Sequence, residues 1–293
     1  MSQETSDHSM RTIRMAGDGI SLTADVYGDP AASPVMLLHG GGQTRHAWGK
    51  AAEVLAATGR YAISLDQRGH GDSDWAPEGD YAITGFAGDA RSVAWSLPRL
   101  PVLVGASLGG LASLVAIGES DRPVATALVL VDVTPKVDPE GSARIRGFMR
   151  EGIGGFDRLE DAADAIAAYI PNRTRPKDLS GLRKNLRQRD DGRWYWHWDP
   201  LFIQRRDGID GQEGLVPHER MVAAAARVTV PTLLVRGQQS DIVTDEGVQE
   251  LRELVPHAEI VDVAGAGHMV AGDRNDAFNR SVVDFIERHV PLR

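Results

Sequence analysis

Six apolar runs constrain this chain more than any other feature. They are Pro34-Val35-Met36-Leu37-Leu38, Tyr61-Ala62-Ile63-Ser64-Leu65, Pro101-Val102-Leu103-Val104, Ala127-Leu128-Val129-Leu130-Val131, Pro231-Thr232-Leu233-Leu234-Val235 and Ala258-Glu259-Ile260-Val261-Asp262-Val263. Most are continuous rather than alternating, as expected of strands buried on both faces. Helical periodicity fills most of the intervals, at 48–58, 83–97, 108–118, 245–254 and 274–289. Strands alternating with helices predict an α/β fold, a mostly parallel sheet with helices on both sides. Before the first run, 12–15 and 20–27 alternate as an antiparallel pair about the turn Ala16-Gly17-Asp18-Gly19, which brings the expected sheet to eight strands.

The rhythm breaks between 135 and 227, where no buried strand is evident. This interval reads as helices at 142–151, 159–169 and 179–188, with a further stretch ending at Ala226. Such an insertion predicts a helical cap over the C-terminal strand ends, where open α/β sheets bind ligands. The expected organisation is a tip at 1–10, a core of 11–134 and 228–293, and a cap at 135–227.

Across 293 residues the net charge is -9, which disfavours nucleic acid, since phosphate binding needs clustered Lys and Arg. Neutral substrates, or substrates that lose a charge during reaction, fit that balance better. There is no cysteine, so disulfides, thiolate metal sites and a Cys nucleophile are excluded. No run approaches the ~18 apolar residues that span a bilayer, and 1–10 has no apolar signal core. The expectation is a cytoplasmic protein with no membrane partner, no metal and no cofactor, either monomeric or homo-oligomeric.

Val102-Leu103-Val104-Gly105-Ala106-Ser107-Leu108-Gly109-Gly110 is a strand, then Gly-x-Ser-x-Gly, then a helix. A serine on so sharp a turn projects its hydroxyl clear of the backbone, and the helix N-terminus offers a partial positive charge. An ordinary Gly/Ser-rich turn would fit the five residues alone, but not their place between strand and helix. Leu38-His39-Gly40-Gly41-Gly42 follows the first buried run, and its glycines can aim amides into a site. Gly41 and Leu108 are the expected oxyanion donors. A phosphate loop would also be Gly-rich, but the P-loop and dinucleotide patterns are absent. His39 reads as a structural hydrogen-bonder.

Ser107 needs a base. Of nine histidines, His268, in Ala264-Gly265-Ala266-Gly267-His268-Met269, sits just past the last buried run, where a base belongs. The orienting acid is expected at Asp241, beyond the run ending at Val235, and Asp132, which ends the fourth run, is the alternative. The chain order serine, acid, histidine is that of one known architecture.

These residues resemble the α/β-hydrolase fold superfamily, in its capped serine hydrolase branch. The resemblance rests on His39-Gly40-Gly41-Gly42, Asp66-Gln67-Arg68-Gly69-His70-Gly71-Asp72-Ser73, Gly105-Ala106-Ser107-Leu108-Gly109, Asp241 and Gly267-His268, and it covers about 20–289 outside the cap. It implies structural roles for Arg68 and His70. Relatives with Asp at the elbow are epoxide hydrolases and dehalogenases, and Ser107 disfavours that chemistry. The expected activity is hydrolysis of a small carboxylic ester or lactone through an acyl-enzyme. C–C bond hydrolysis, amidase and perhydrolase chemistry are alternatives on the same triad, and a ligand receptor on this fold is a more distant one.

Trp194-Tyr195-Trp196-His197-Trp198-Asp199-Pro200 holds half of the six tryptophans. Extended, Trp194, Trp196 and Trp198 share one face. They read either as an aromatic wall over a pocket, joined by Gly42, His46 and Trp48, or as rings pinning the cap to the core.

Overall fold

The computed structural model describes residues 10–170, 175, 177–204, 217–267 and 275–292. The strands are β1 (Arg11–Ala16), β2 (Ser21–Tyr27), β3 (Pro34–Leu38), β4 (Tyr61–Leu65), β5 (Val102–Ala106), β6 (Ala127–Val131), β7 (Leu186–Gln188), β8 (Trp194–Trp196), β9 (Thr232–Gly237) and β10 (Glu259–Val263). Eight of them form one sheet in the order β1-β2-β4-β3-β5-β6-β9-β10. β1 and β2 are antiparallel, β2 meets β4 antiparallel, and every later pairing is parallel. The expected fold class and strand count are therefore the observed ones.

The apolar runs have no polar face because both faces of the sheet are covered. Val35 and Leu37 point to one side, with α1 (Gly49–Ala57) and α9 (Asn275–His289). Met36 and Leu38 point to the other, with α2 (Ile83–Ser96), α3 (Leu108–Gly118), α7 (His218–Ala225) and α8 (Asp245–Leu254). Alternate side chains of one strand thus enter two different cores. Among the described residues no helix is long and apolar enough to cross a membrane.

Between β6 and β9 the insertion contains α4 (Pro139–Glu151), α5 (Leu159–Tyr169) and α6 (Leu201–Gln204), with α7 at its end. Asp138 caps α4 by accepting from the Gly141 amide at 2.8 Å. The helix expected at 179–188 is not formed. Residues Ser180–Lys184 make a short 3-10 turn, and Leu186–Gln188 pairs antiparallel with Trp194–Trp196 as a hairpin. Asp190-Asp191-Gly192 supplies the turn, with Gly192 at φ 80, and the Trp-Tyr-Trp strand favours extended backbone.

The hairpin strand runs on into main-chain contacts with the core. Trp198 bridges His70, the Gly71 amide donates to the His197 carbonyl (2.7 Å), and the Asp199 amide donates to the Gly69 carbonyl (2.8 Å). Beside this seam lies a buried ion cluster. Arg45 pairs with Asp25 (2.9 Å), Asp66 and Asp72 (2.8 Å), and Arg187 of β7 reaches Asp72 at 2.6 Å. Removing Arg45, Asp25 or Asp66, its buried members, leaves an uncompensated charge, whereas Asp72 and Arg187 lie at its exposed edge.

Gly147 lies inside α4 with open space where a Cβ would stand. Gly147→Ala should therefore raise stability by about 0.5–1 kcal/mol through helix propensity. A higher urea midpoint would show this, and an unchanged or lower one would contradict it.

Candidate active site

The site forms where β3, β5 and β6 end side by side. Ala106 is in register with Val131, so the next residues, Ser107 and Asp132, leave adjacent strands together. Both are held at positive φ, 46 and 50. Among the described residues only one other non-glycine residue, Glu78, shares that left-handed region. Such strain persists only where surrounding structure imposes it. Here the Ser107 amide donates to the Val131 carbonyl (3.2 Å) and the Asp132 amide to that of Val235 (2.9 Å). Close packing makes the turn possible: a Cβ on Gly109 would stand 2.3 Å from the Leu38 carbonyl oxygen, so α3 presses on the end of β3.

The glycine loop after β3 lies against Ser107. A Cβ on Gly40 would be 3.5 Å from that of Ser107. The Gly40 amide donates to Gln43 Oε1 (2.9 Å) and the Gly42 amide to His70 Nε2 (3.0 Å). No described residue accepts from the Gly41 amide. The Leu108 amide opens α3, where first-turn N–H groups have no helical partner. The insertion covers this loop. The Phe202 ring comes within 3.3 Å of a Cβ placed on Gly41, and the Met149 methyl within 2.9 Å of one placed on Gly42.

The histidines near the loop are framework groups. His39 Nε2 accepts from the Gln67 amide (3.1 Å), so its Nδ1–H donates to the Gly40 carbonyl (2.8 Å). His70 Nδ1 donates to the Arg68 carbonyl (2.9 Å). Arg68 in turn grips Asp89 with two N–H groups, at 2.7 and 2.8 Å. His39, Arg68 and His70 thus have the structural surroundings that the sequence suggested.

The two candidate acids differ in their surroundings. Asp132 is fully buried; its Oδ1 accepts from the Gly237 amide (3.0 Å) and its Oδ2 from the Ser240 hydroxyl (2.6 Å). The Ser240 oxygen itself accepts from the Ile242 and Val243 amides (3.1 and 3.2 Å), which leaves its single proton for Asp132. Asp241 is partly exposed and faces the insertion, in ion-pair contact with Arg144 of α4. His268 lies outside the described residues. Gly267, just before it, packs with its carbonyl oxygen 2.3 Å from a Cβ placed on Gly237, whose amide holds Asp132.

The candidate wall residues divide: Trp198 Nε1 stands 3.8 Å from a Cβ placed on Gly42, and Trp196 and Trp198 line one small cavity, while the others lie elsewhere. Trp48 is buried against Phe278 (5.8 Å) in the core shared with α1 and α9. His46 faces Asp25 at 3.5 Å. Trp198 is buried at the core–insertion seam, 6.3 Å from Phe202. Trp196 packs within the insertion on Phe148 and Phe156, and Trp194 lies under Arg183. Sequence reasoning missed Phe202, Met149 and Ser240, because no local pattern marks a residue whose role depends on a distant loop.

With this geometry in view, comparison with known proteins identifies the family. The chain matches the alpha/beta hydrolase family over residues 35–281. It belongs to that family. It is 30% identical over 256 residues to the esterase Rv0045c of Mycobacterium tuberculosis, covering 83% of this chain and 79% of that protein. To the 2-(acetamidomethylene)succinate hydrolase of Mesorhizobium japonicum it is 27% identical, covering 88% of this chain and 90% of the other. A solved E-2-(acetamidomethylene)succinate hydrolase superposes with a TM-score of 0.81 at 24% identity, over 95% of this chain and all of that one, a likeness of fold. The chain is thus a hydrolase of the alpha/beta family.

Burial gives the α/β hydrolase a definite pH response. It pushes His39, His46 and His197 below the ordinary imidazole range, helped at His46 by Arg45 and at His197 by Arg187, against the opposing charges of Asp25, Asp66 and Asp72. A depressed histidine is neutral in the native state, whereas the unfolded chain takes up its proton near pH 6.5. Stability therefore falls as pH drops below about 6.5. Urea midpoints measured from pH 8 to 5 should decline over that window, and His197→Gln should shallow the decline. A slope unchanged by the substitution would refute His197's share.

Proposed function

We propose that the protein is a serine hydrolase that cleaves a carboxylic ester or lactone through an acyl-enzyme. The observation that carries this reading is the strained Ser107, which stands at the end of β5 and the start of α3, beside the Gly40–Gly41 loop. His268 takes the Ser107 proton as Oγ attacks the carbonyl carbon. The amides of Gly41 and Leu108 stabilise the oxyanion, a contribution of roughly 3 kcal/mol for each donor. The imidazolium then protonates the leaving oxygen, and water activated by His268 releases the acid and regenerates Ser107.

Of the two acids the sequence offers for His268, Asp132 has the stronger support. It is buried, its backbone is strained, and two donors fix its carboxylate, whereas Asp241 is turned toward Arg144. Residues 135–227 act in this reading as the cap, with Phe202 and Met149 bounding the oxyanion side of the pocket. Similarity to a hydrolase whose named substrate carries an acetamido group makes amide cleavage by the same triad the second reading.

Ser107→Ala should lower kcat on p-nitrophenyl esters by at least about 10³-fold. Full activity in that variant would overturn the assignment. Asp132→Asn should cost on the order of 10³–10⁴-fold, and Asp241→Asn far less. The reverse order would return the acid's role to Asp241.

A further inference from the structure

Helix α4 spans the mouth of the site. At its start a Cβ on Gly141 would meet the Asp241 carbonyl oxygen, and toward its end Met149 lies over Gly42 of the oxyanion loop. Arg144 stands between those two contacts. Its guanidinium is in ion-pair contact with the Asp241 carboxylate and lies near Tyr169, whose ring stacks on Phe148 at 4.4 Å. Asp241 directly follows Ser240, the residue that holds Asp132 beside Ser107. A fixed cation thus stands at the rim of the crevice, one residue beyond the groups nearest the chemistry.

Stability does not account for this placement. The Arg144 side chain is 60% exposed, and ion pairs so open to water contribute little. A guanidinium has five N–H donors, enough to serve Asp241 and a further carboxylate together. The wider charge distribution favours the same ligand. Residues 135–227 contain 17 of the 32 Lys and Arg but only 15 of the 41 Asp and Glu, so a weakly positive insertion faces a strongly acidic core. An anion approaching this molecule is repelled by most of its surface and steered toward the insertion.

We infer that Arg144 binds a carboxylate of the substrate, so that the preferred substrate is an anionic ester-type molecule. Asp241 is the resident counter-ion that holds the guanidinium at the mouth when the site is empty. The inference rests on the serine hydrolase reading above. It differs from the sequence reading, in which the net charge of the whole chain favours neutral substrates or substrates that lose a charge during reaction.

The test uses two matched pairs, 4-nitrophenyl hemiglutarate against 4-nitrophenyl pentanoate, and 3-acetoxybenzoate against phenyl acetate. They place the carboxylate on the acyl side and on the leaving-group side. The parent protein should favour the anionic member of at least one pair in kcat/KM by about tenfold or more, the usual scale of a charge-assisted hydrogen bond. Arg144→Gln should abolish that preference, raising KM for the anionic member by about tenfold more than for the neutral one. If neither anionic ester is preferred, or if Arg144→Gln slows both members of a pair alike, the inference fails. Turnover retained by Ser107→Ala would instead overturn the underlying serine hydrolase reading.

Discussion

The site depends on how closely two backbones approach. Helix α3 starts so near the ends of β3 and β5 that a Cβ on Gly105 would stand 2.4 Å from the Gly109 backbone, and one on Gly109 would meet Leu38. That approach forces the chain to turn within one residue, and the residue at the turn is Ser107, at φ 46 and ψ -114. The strain is held in place by the Ser107–Val131 bond and by the ladder on either side of β5. The same approach brings the start of α3, with its unpaired amides, beside the glycine loop after β3. The strained Ser107 and the free amides beside it are therefore consequences of one packing constraint.

A second layer of order fixes what surrounds the turn. The segment 66–73 is anchored below by Arg45 with Asp25, Asp66 and Asp72, and laterally by Arg68 with Asp89. On that rigid loop the insertion docks through main-chain bonds to Gly69 and Gly71, through Arg187 on Asp72, and through the Tyr81 hydroxyl donating to Asp199 at 2.6 Å. Phe202 closes the seam with rings of His70, Tyr81, Phe86 and Trp198 around it. The insertion is thereby held to the same loop that orients Gly42 through His70, which couples the docking of the insertion to the geometry of the glycine loop after β3.

Much of this is legible in the sequence. Continuous apolar runs identified the buried strands because a strand covered on both faces has no polar period to show. Gly-x-Ser-x-Gly between a strand and a helix located the sharp turn at Ser107. The hairpin at 186–196 was not legible, since Leu186 to Gln188 is too short to display a period and its extended state depends on the Trp194–Trp196 partner. Nor was the burial of Trp48, whose position near the glycine loop in sequence gives no sign that its ring faces Phe278 in the opposite core.

The sequence by itself determined the elements of the main sheet, the fold class and the residue at the turn, because each follows from local periodicity or from a five-residue steric pattern. Only the tertiary structure decided which distant groups meet there. Asp132 gains its donors from Gly237 and Ser240, more than a hundred residues away, because β9 packs beside β6. Arg144 meets Asp241 because the insertion folds back across the strand ends. Strand order and docking are properties of the whole packed chain, so no spacing along the sequence encodes them.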